Sequence, residues 1–221
     1  MSEELWKSVE EFLVSSVLED DPALDAAVAA SDAAGLPHIQ VSPLEGKLLY
    51  LIARLRGAKR VLEVGTLAGY STIWLGRALP KDGGVVTLEL KPEHAQVARQ
   101  NFERAGLAHL MDLRVGAAAE SLAQLVKEKA GPFDLTFIDA DKRSTPEYFE
   151  RALELSRPGS VIIVDNIVRD GKVAADEKDD PDNQGMRRFL ERIAHDLRVS
   201  ATVIPTAGSK GYDGFALLIV N

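Results

Sequence analysis

From Lys59 onward, short runs rich in β-branched and aliphatic residues alternate with stretches of helical periodicity, and this alternation restricts the fold more than any other feature of the chain. Runs at 60–64, 84–90, 111–115, 133–139 and 159–165 read as strands, with helices near 71–79, 92–105, 118–130 and 146–156. A helix between successive strands returns the chain to the same edge of the sheet, so these strands pair in parallel. The expected fold is α/β, a doubly wound sheet covered by helices on both faces. A further helix at 184–197 precedes two runs, 199–205 and 213–220, joined by a turn holding Gly208 and Gly211; they read as an antiparallel hairpin and bring the count to seven strands. Val168 to Asn183, rich in Asp, Lys and Gly, reads as a mobile loop beside the fifth strand. There is no internal repeat.

Ahead of this core, residues 4–18 and 22–34 read as amphipathic helices, with Leu5, Val9, Phe12 and Leu13 on one apolar face. Ser42, Pro43 and Glu45 match a helix start, with an N-cap, a proline at the first position and a capping-box acid, opening a helix to about Arg56. At 221 residues and 46% hydrophobic, the chain suits one domain over 1–221, a helical cap of 1–57 before a core of 58–221. Apolar helical faces that one domain does not cover point to a homodimer.

Composition excludes several classes of function. Zero cysteines rule out disulfides, thiolate metal sites and a cysteine nucleophile, and suit a cytoplasmic setting. The chain does not start with a basic region and apolar run, and no apolar stretch approaches the roughly 20 residues that span a bilayer, so neither export nor membrane insertion is expected. A net charge of −8 opposes attraction to nucleic acid, short of a local basic patch.

Ligands of open α/β sheets bind outside the carboxyl ends of the strands. The first strand ends in Glu63-Val64-Gly65-Thr66-Leu67-Ala68-Gly69-Tyr70-Ser71, a loop whose glycines let backbone approach a ligand, though an N-cap at Ser71 would explain the same turn. It lacks the middle glycine of a pyrophosphate loop. Glu89 ends the second strand, where an acid accepts hydrogen bonds from ribose hydroxyls; NAD and S-adenosylmethionine (SAM) both fit. Gly116, Ala117 and Ala118 after the third strand leave room for an adenine edge. Asp139 and Asp165 end the fourth and fifth strands, and neighbouring strands lie about 5 Å apart, so these acids with Asn166 can converge on one ion. Three oxygen donors select a hard cation: magnesium first, with calcium or manganese also suited.

With these motifs in order, the chain resembles the metal-dependent catechol and caffeoyl-coenzyme A type O-methyltransferases over roughly residues 36–221. The likeness rests on Glu63-Val64-Gly65-Thr66 with Gly69 and Ser71, on Phe137 through Lys142, and on Asp165 with Asn166. It implies a Rossmann-like SAM methyltransferase sheet. It also implies that Val41, Glu63, Gly65, Thr66, Ser71, Glu89, Ala118, Asp139 and Ala140 surround SAM, with Ser71 near the methionine carboxylate, and that Asp139, Asp165 and Asn166 hold the metal. Lys142 would lie beside the acceptor hydroxyl, as proton acceptor or as a charge stabilising the oxyanion. Where plant relatives carry an aromatic residue after the Asp-Asn pair, this chain has Ile167-Val168-Arg169; Arg169 either meets an anionic acceptor group or sits in solvent.

The expected function is therefore methyl transfer from SAM to a hydroxyl of a small, catechol-like acceptor. One alternative is methylation of hydroxylated uridine in transfer RNA, with Arg169, Lys172, Arg187 and Arg188 as a basic face. A nicotinamide-dependent oxidoreductase and a non-catalytic SAM-binding module are others. His38, His94, His109 and His195 are scattered and read as surface or structural residues.

Overall fold

A computed structural model describes residues 3–175 and 179–221. Its seven strands, β1 (Arg60–Val64), β2 (Gly84–Glu89), β3 (Met111–Val115), β4 (Leu135–Ile138), β5 (Val161–Asp165), β6 (Val199–Gly208) and β7 (Gly211–Val220), form one sheet in the order β3-β2-β1-β4-β5-β7-β6. β1 to β5 pair in parallel, and β7 runs antiparallel to both β5 and β6. Strand order reverses at β1, which lies between β2 and β4, so the crevice that such a sheet offers a ligand opens above these three strands.

The central strands are buried on both faces, and their side chains alternate between two cores. Val61, Leu135 and Ile163 pack with Ile73, Leu75 and Phe102 of α4 (Tyr70–Ala78) and α5 (Pro92–Arg104), joined there by α2 (Pro22–Ala33) and α3 (Pro43–Arg56). Leu62, Ile138 and Ile162 face the other way, onto Leu122, Phe149 and Phe189 of α6 (Ala118–Lys127), α7 (Thr145–Glu154) and α8 (Pro181–Ala194). A two-residue period along each strand feeds both layers, which is why the strands read as continuous apolar runs.

Several boundaries differ from the sequence reading for identifiable reasons. β4 starts at Leu135, not 133: the Phe133 amide bonds the Leu155 carbonyl, outside the sheet, at 2.8 Å, and the Asp134 side chain ties the strand entries together by accepting the Lys59 and Arg60 amides at 2.9 and 3.1 Å. α8 starts at Pro181, not 184, because Asp180 caps it, accepting from the Asp182 and Asn183 amides at 3.0 and 2.9 Å. The segment read as a mobile loop is thus partly helical, with a 3-10 turn at Lys172–Ala174; its residues 176–178 lie outside the described residues. The α3 start is as expected: Ser42 and Glu45 form a reciprocal capping box, and Gly57 ends the helix in the left-handed region.

α1 (Glu3–Val17) buries none of its residues, and Phe12 is 68% exposed. It leans on the β6–β7 turn, where the Glu10 carboxylate accepts the Ser209 amide at 2.5 Å. No helix among the described residues is long and apolar enough to cross a membrane.

Candidate active site

The β1 tip is built around a buried acid. Glu63 points to the α4 side of the sheet with no exposed surface, and its carboxylate accepts hydrogen bonds from Ser71 Oγ (2.7 Å), Thr72 Oγ1 (2.5 Å) and Thr87 Oγ1 (2.6 Å). Burial pushes its pKa up to about 7, against the three hydroxyls and with help from the Asp139 charge. Glu63 therefore braces the glycine loop from beneath. Ser71 is not the N-cap that would have explained the turn; Gly69, in the left-handed region, holds that place, and Ser71 lies in the first turn of α4. Gly65 has φ 104°, and a side chain there would collide with the Asp139 carbonyl oxygen. The β1 loop and the β4 tip thus touch through backbone alone.

The Glu63 shift predicts a pH dependence. An unfolded glutamate titrates near 4.5 and this one near 7, so the stability contributed by its protonated form is complete below 4.5 and lost as pH rises through 7. In ligand-free protein, urea unfolding should show the wild type losing stability relative to Glu63→Gln across that window, by an amount on the order of a few kcal/mol. A difference that stays constant from pH 4.5 to 8 would show that folding does not raise this pKa.

Above the loop lies a cavity of about 710 Å³, within the range of small-molecule and cofactor sites. Val41, Gly65, Thr66, Ser71, Glu89, Ala118, Asp139, Ala140, Lys142 and Asn166 all line it; of the residues assigned to cofactor by sequence, only Glu63 is absent from its wall. Glu89 is held in place by the Leu67 amide (2.8 Å) and the Lys91 amide (2.9 Å), with His94 Nδ1 at 3.4 Å. His94, read from sequence as a bystander, is buried in this wall. So is Tyr148, whose hydroxyl donates to Asp141 at 2.5 Å; burial and the Asp141 carboxylate raise the Tyr148 pKa. No sequence signal marks either residue, since a position on a helix does not by itself show that the side chain turns toward the cleft.

The β4 and β5 tips carry the acids. Ile138 pairs with Val164, so Asp139 and Asp165 follow side by side. Lys142, nearly buried, donates to Asp139 Oδ1 at 2.6 Å. Burial and the facing Asp139 charge raise the Asp165 pKa well above the ordinary carboxylate value, only partly offset by Lys142. Among the described residues no group of three or more His, Cys, Asp and Glu side chains is placed to hold a metal, so the candidate donors are these two carboxylates with the Asn166 amide. On their far side a second cavity, of about 830 Å³, is walled by Trp6, Val9 and Leu13 of α1, Leu44 and Leu48 of α3, and Phe215. Asp165 and Asn166 line it too, so Asn166 faces both cavities.

The structure corrects the reading of Arg169. It lines neither cavity and is not free in solvent: its guanidinium turns back toward Asp180, 3.9 Å away. Arg187 is likewise turned inward, onto the Val173 and Ala175 carbonyls at 3.1 and 3.0 Å. Two members of the supposed basic face therefore point into the protein.

Comparison with known proteins adds the decisive observation: the family model described as "O-methyltransferase" matches residues 14–217. The chain belongs to the O-methyltransferase family. This O-methyltransferase is 50% identical to a catechol O-methyltransferase of Niastella koreensis over the full length of both chains. It is 51% identical to one of Mycobacterium tuberculosis, with 96% of this chain and 95% of the relative covered. Its fold matches the O-methyltransferase from Bacillus cereus, solved in complex with S-adenosylhomocysteine (SAH), at a TM-score of 0.98, 50% identity and full coverage of both chains. It also matches TomG from Streptomyces achromogenes, solved with SAM, at 0.96 and 47% identity, covering 100% of this chain and 99% of that one.

Proposed function

We propose that this O-methyltransferase transfers the methyl group of SAM to one hydroxyl of a small, catechol-like acceptor, with a divalent cation held by Asp139, Asp165 and Asn166. The observation that carries the reading is the meeting of two cavities at these residues, one floored by the glycine loop and Glu89, the other walled by apolar side chains. Relatives named catechol O-methyltransferase at about half identity support the acceptor class, and solved relatives holding SAM or SAH support the methyl donor.

In this reading Glu89 accepts from the ribose hydroxyls, and Ala117 to Ala119 leave room for adenine. Ser71 already donates its hydrogen to Glu63, so its lone pairs face the cleft and suit the methionine ammonium better than the carboxylate. Two facing carboxylates with one lysine leave the Asp139–Asp165 site short of positive charge, and the all-oxygen donor set fits magnesium, calcium or manganese. The bound cation would orient the acceptor and favour its deprotonated oxygen, since a phenol is otherwise protonated near neutral pH. That oxygen attacks the methyl carbon, the O–C bond forming as the S–C bond breaks, and the hydroxyl proton leaves to solvent. Lys142, held by its hydrogen bond to Asp139, would stand beside the acceptor oxygen, where it can hydrogen-bond that oxygen. Exposed Leu51 and Leu55 of α3 and Phe12 and Val17 of α1, which line neither cavity, support a homodimer.

Incubation with labelled SAM, caffeate and magnesium tests this directly. Methylated caffeate should form, stop with EDTA and return with excess magnesium. Undiminished transfer in EDTA would remove the cation from the mechanism. SAM binding without methylation of any catechol would remove the acceptor class.

A further inference from the structure

The β5–β7 ladder ends at Asp165 and Phe215. Beyond it the chain turns sharply, with Asn166, Arg169 and Asp170 all in the left-handed region at φ 58°, 53° and 55°. Such conformations cost energy in non-glycine residues and persist only where surroundings enforce them. One side chain on β7 does much of this. Asp213 Oδ1 accepts the amides of Val168, Arg169 and Gly214, each at 3.0 Å, and Asp213 Oδ2 accepts from Asn166 Nδ2 at 3.1 Å. Backbone bonds from Ile167 to Gly214 (2.9 Å) and from Asp170 to Tyr212 (2.8 Å) complete the clip.

The contact with Asn166 does more than hold a loop. A side-chain amide has a donor end and an acceptor end, and a carboxylate accepts only from the donor end. With Nδ2 committed to Asp213, Asn166 Oδ1 is the end left for the junction of the two cavities. We propose that Asp213 is a positioning residue: it orients the Asn166 amide so that oxygen, not nitrogen, joins Asp139 and Asp165 at the cation site. The role rests on the metal-dependent reading above and adds to it a residue that is not itself a ligand. Partners behind metal ligands typically change affinity about 10- to 100-fold.

The test is a manganese titration followed by electron paramagnetic resonance, with SAH affinity measured separately by calorimetry in the absence of metal. Asp213→Asn has a single acceptor oxygen where four N–H groups converge, and its own amide hydrogens face donors. It should bind manganese about 10- to 100-fold more weakly while its SAH affinity stays within about twofold. In an Asn166→Ala background the same substitution should cost nothing more, because its effect runs through Asn166. Asp170→Ala, which loosens the clip at Tyr212 without touching Asn166, should leave manganese affinity unchanged. A wild type that binds no manganese would overturn the metal reading itself. If the wild type binds and Asp213→Asn binds equally, only this inference falls. It also falls if Asp213→Asn loses SAH together with manganese, if Asp170→Ala weakens manganese as much, or if the losses at 166 and 213 simply add.

Discussion

Asp139→Ala should lower the rate of methyl transfer by roughly a thousandfold or more, with SAH affinity held within about tenfold. A cation stabilising the acceptor oxyanion contributes several kcal/mol to the transition state, and each 1.36 kcal/mol is about tenfold in rate. Asp139 is positioned for that role by its amide, which bonds the Val64 carbonyl at 2.8 Å, and by the neighbouring Asp165. Alanine would leave Lys142 without its partner and Asp165 as the only carboxylate of the site. Most of the cofactor cavity is formed by other strand ends, in particular Glu89 with its two backbone donors and the Ala117–Ala119 turn, so SAH should still bind. Single-turnover transfer to caffeate, alongside calorimetry with SAH, separates the two effects. A variant retaining even a tenth of wild-type rate would place the chemistry elsewhere, and parallel loss of SAH binding would assign Asp139 to the cofactor instead.

Gly65→Ala should be strongly destabilising. At φ 104° an L-residue is strained by about 1–2 kcal/mol. The new Cβ would also overlap the Asp139 carbonyl oxygen, and forced overlap costs a further 1–3 kcal/mol or so. The neighbour is backbone of the adjacent strand tip and cannot swing aside as a side chain would. The expected result is a loss of roughly 2–5 kcal/mol in urea unfolding, together with weakened SAH binding, because β1 and β4 can separate only by opening the cofactor floor. Gly35→Ala is a fitting comparison: its φ is also positive, at 66°, but a Cβ there meets nothing. Near-equal destabilisation of the two variants would mean that backbone strain alone, and not the contact with Asp139, makes Gly65 necessary.

The architecture, and the gathering of the candidate residues at the strand ends, were legible before the structure because each depends on a local pattern. Strand-helix alternation gave parallel order, and parallel order put Asp139 beside Asp165; the register Ile138 to Val164 is the direct consequence. Thr66, Glu89, Ala118 and Ala140 were found at the cavity wall for the same reason, since in this kind of sheet the strand ends are where a ligand can be reached; Val41, which precedes α3, came only from the family resemblance. Even the misplaced start of α8 had its signal in Asp180-Pro181, an N-cap and first-position proline hidden inside a polar stretch.

What the amino-acid order determined by itself was which segments become strands and helices, and which residues stand at their ends. The tertiary structure alone decided where those residues point and what meets them. Glu63 occupies the expected motif position yet turns beneath the floor, where Thr87 on the neighbouring strand and two hydroxyls of α4 offer its buried carboxyl group the hydrogen bonds that solvent cannot. Arg169 is drawn back toward Asp180, eleven residues later in the sequence. Asp213 meets Asn166 across 47 residues of chain. Periodicity and capping encode the face and limits of one element at a time, whereas a hydrogen bond between distant elements exists only after packing has set their distance and orientation, and that is a property of the whole fold.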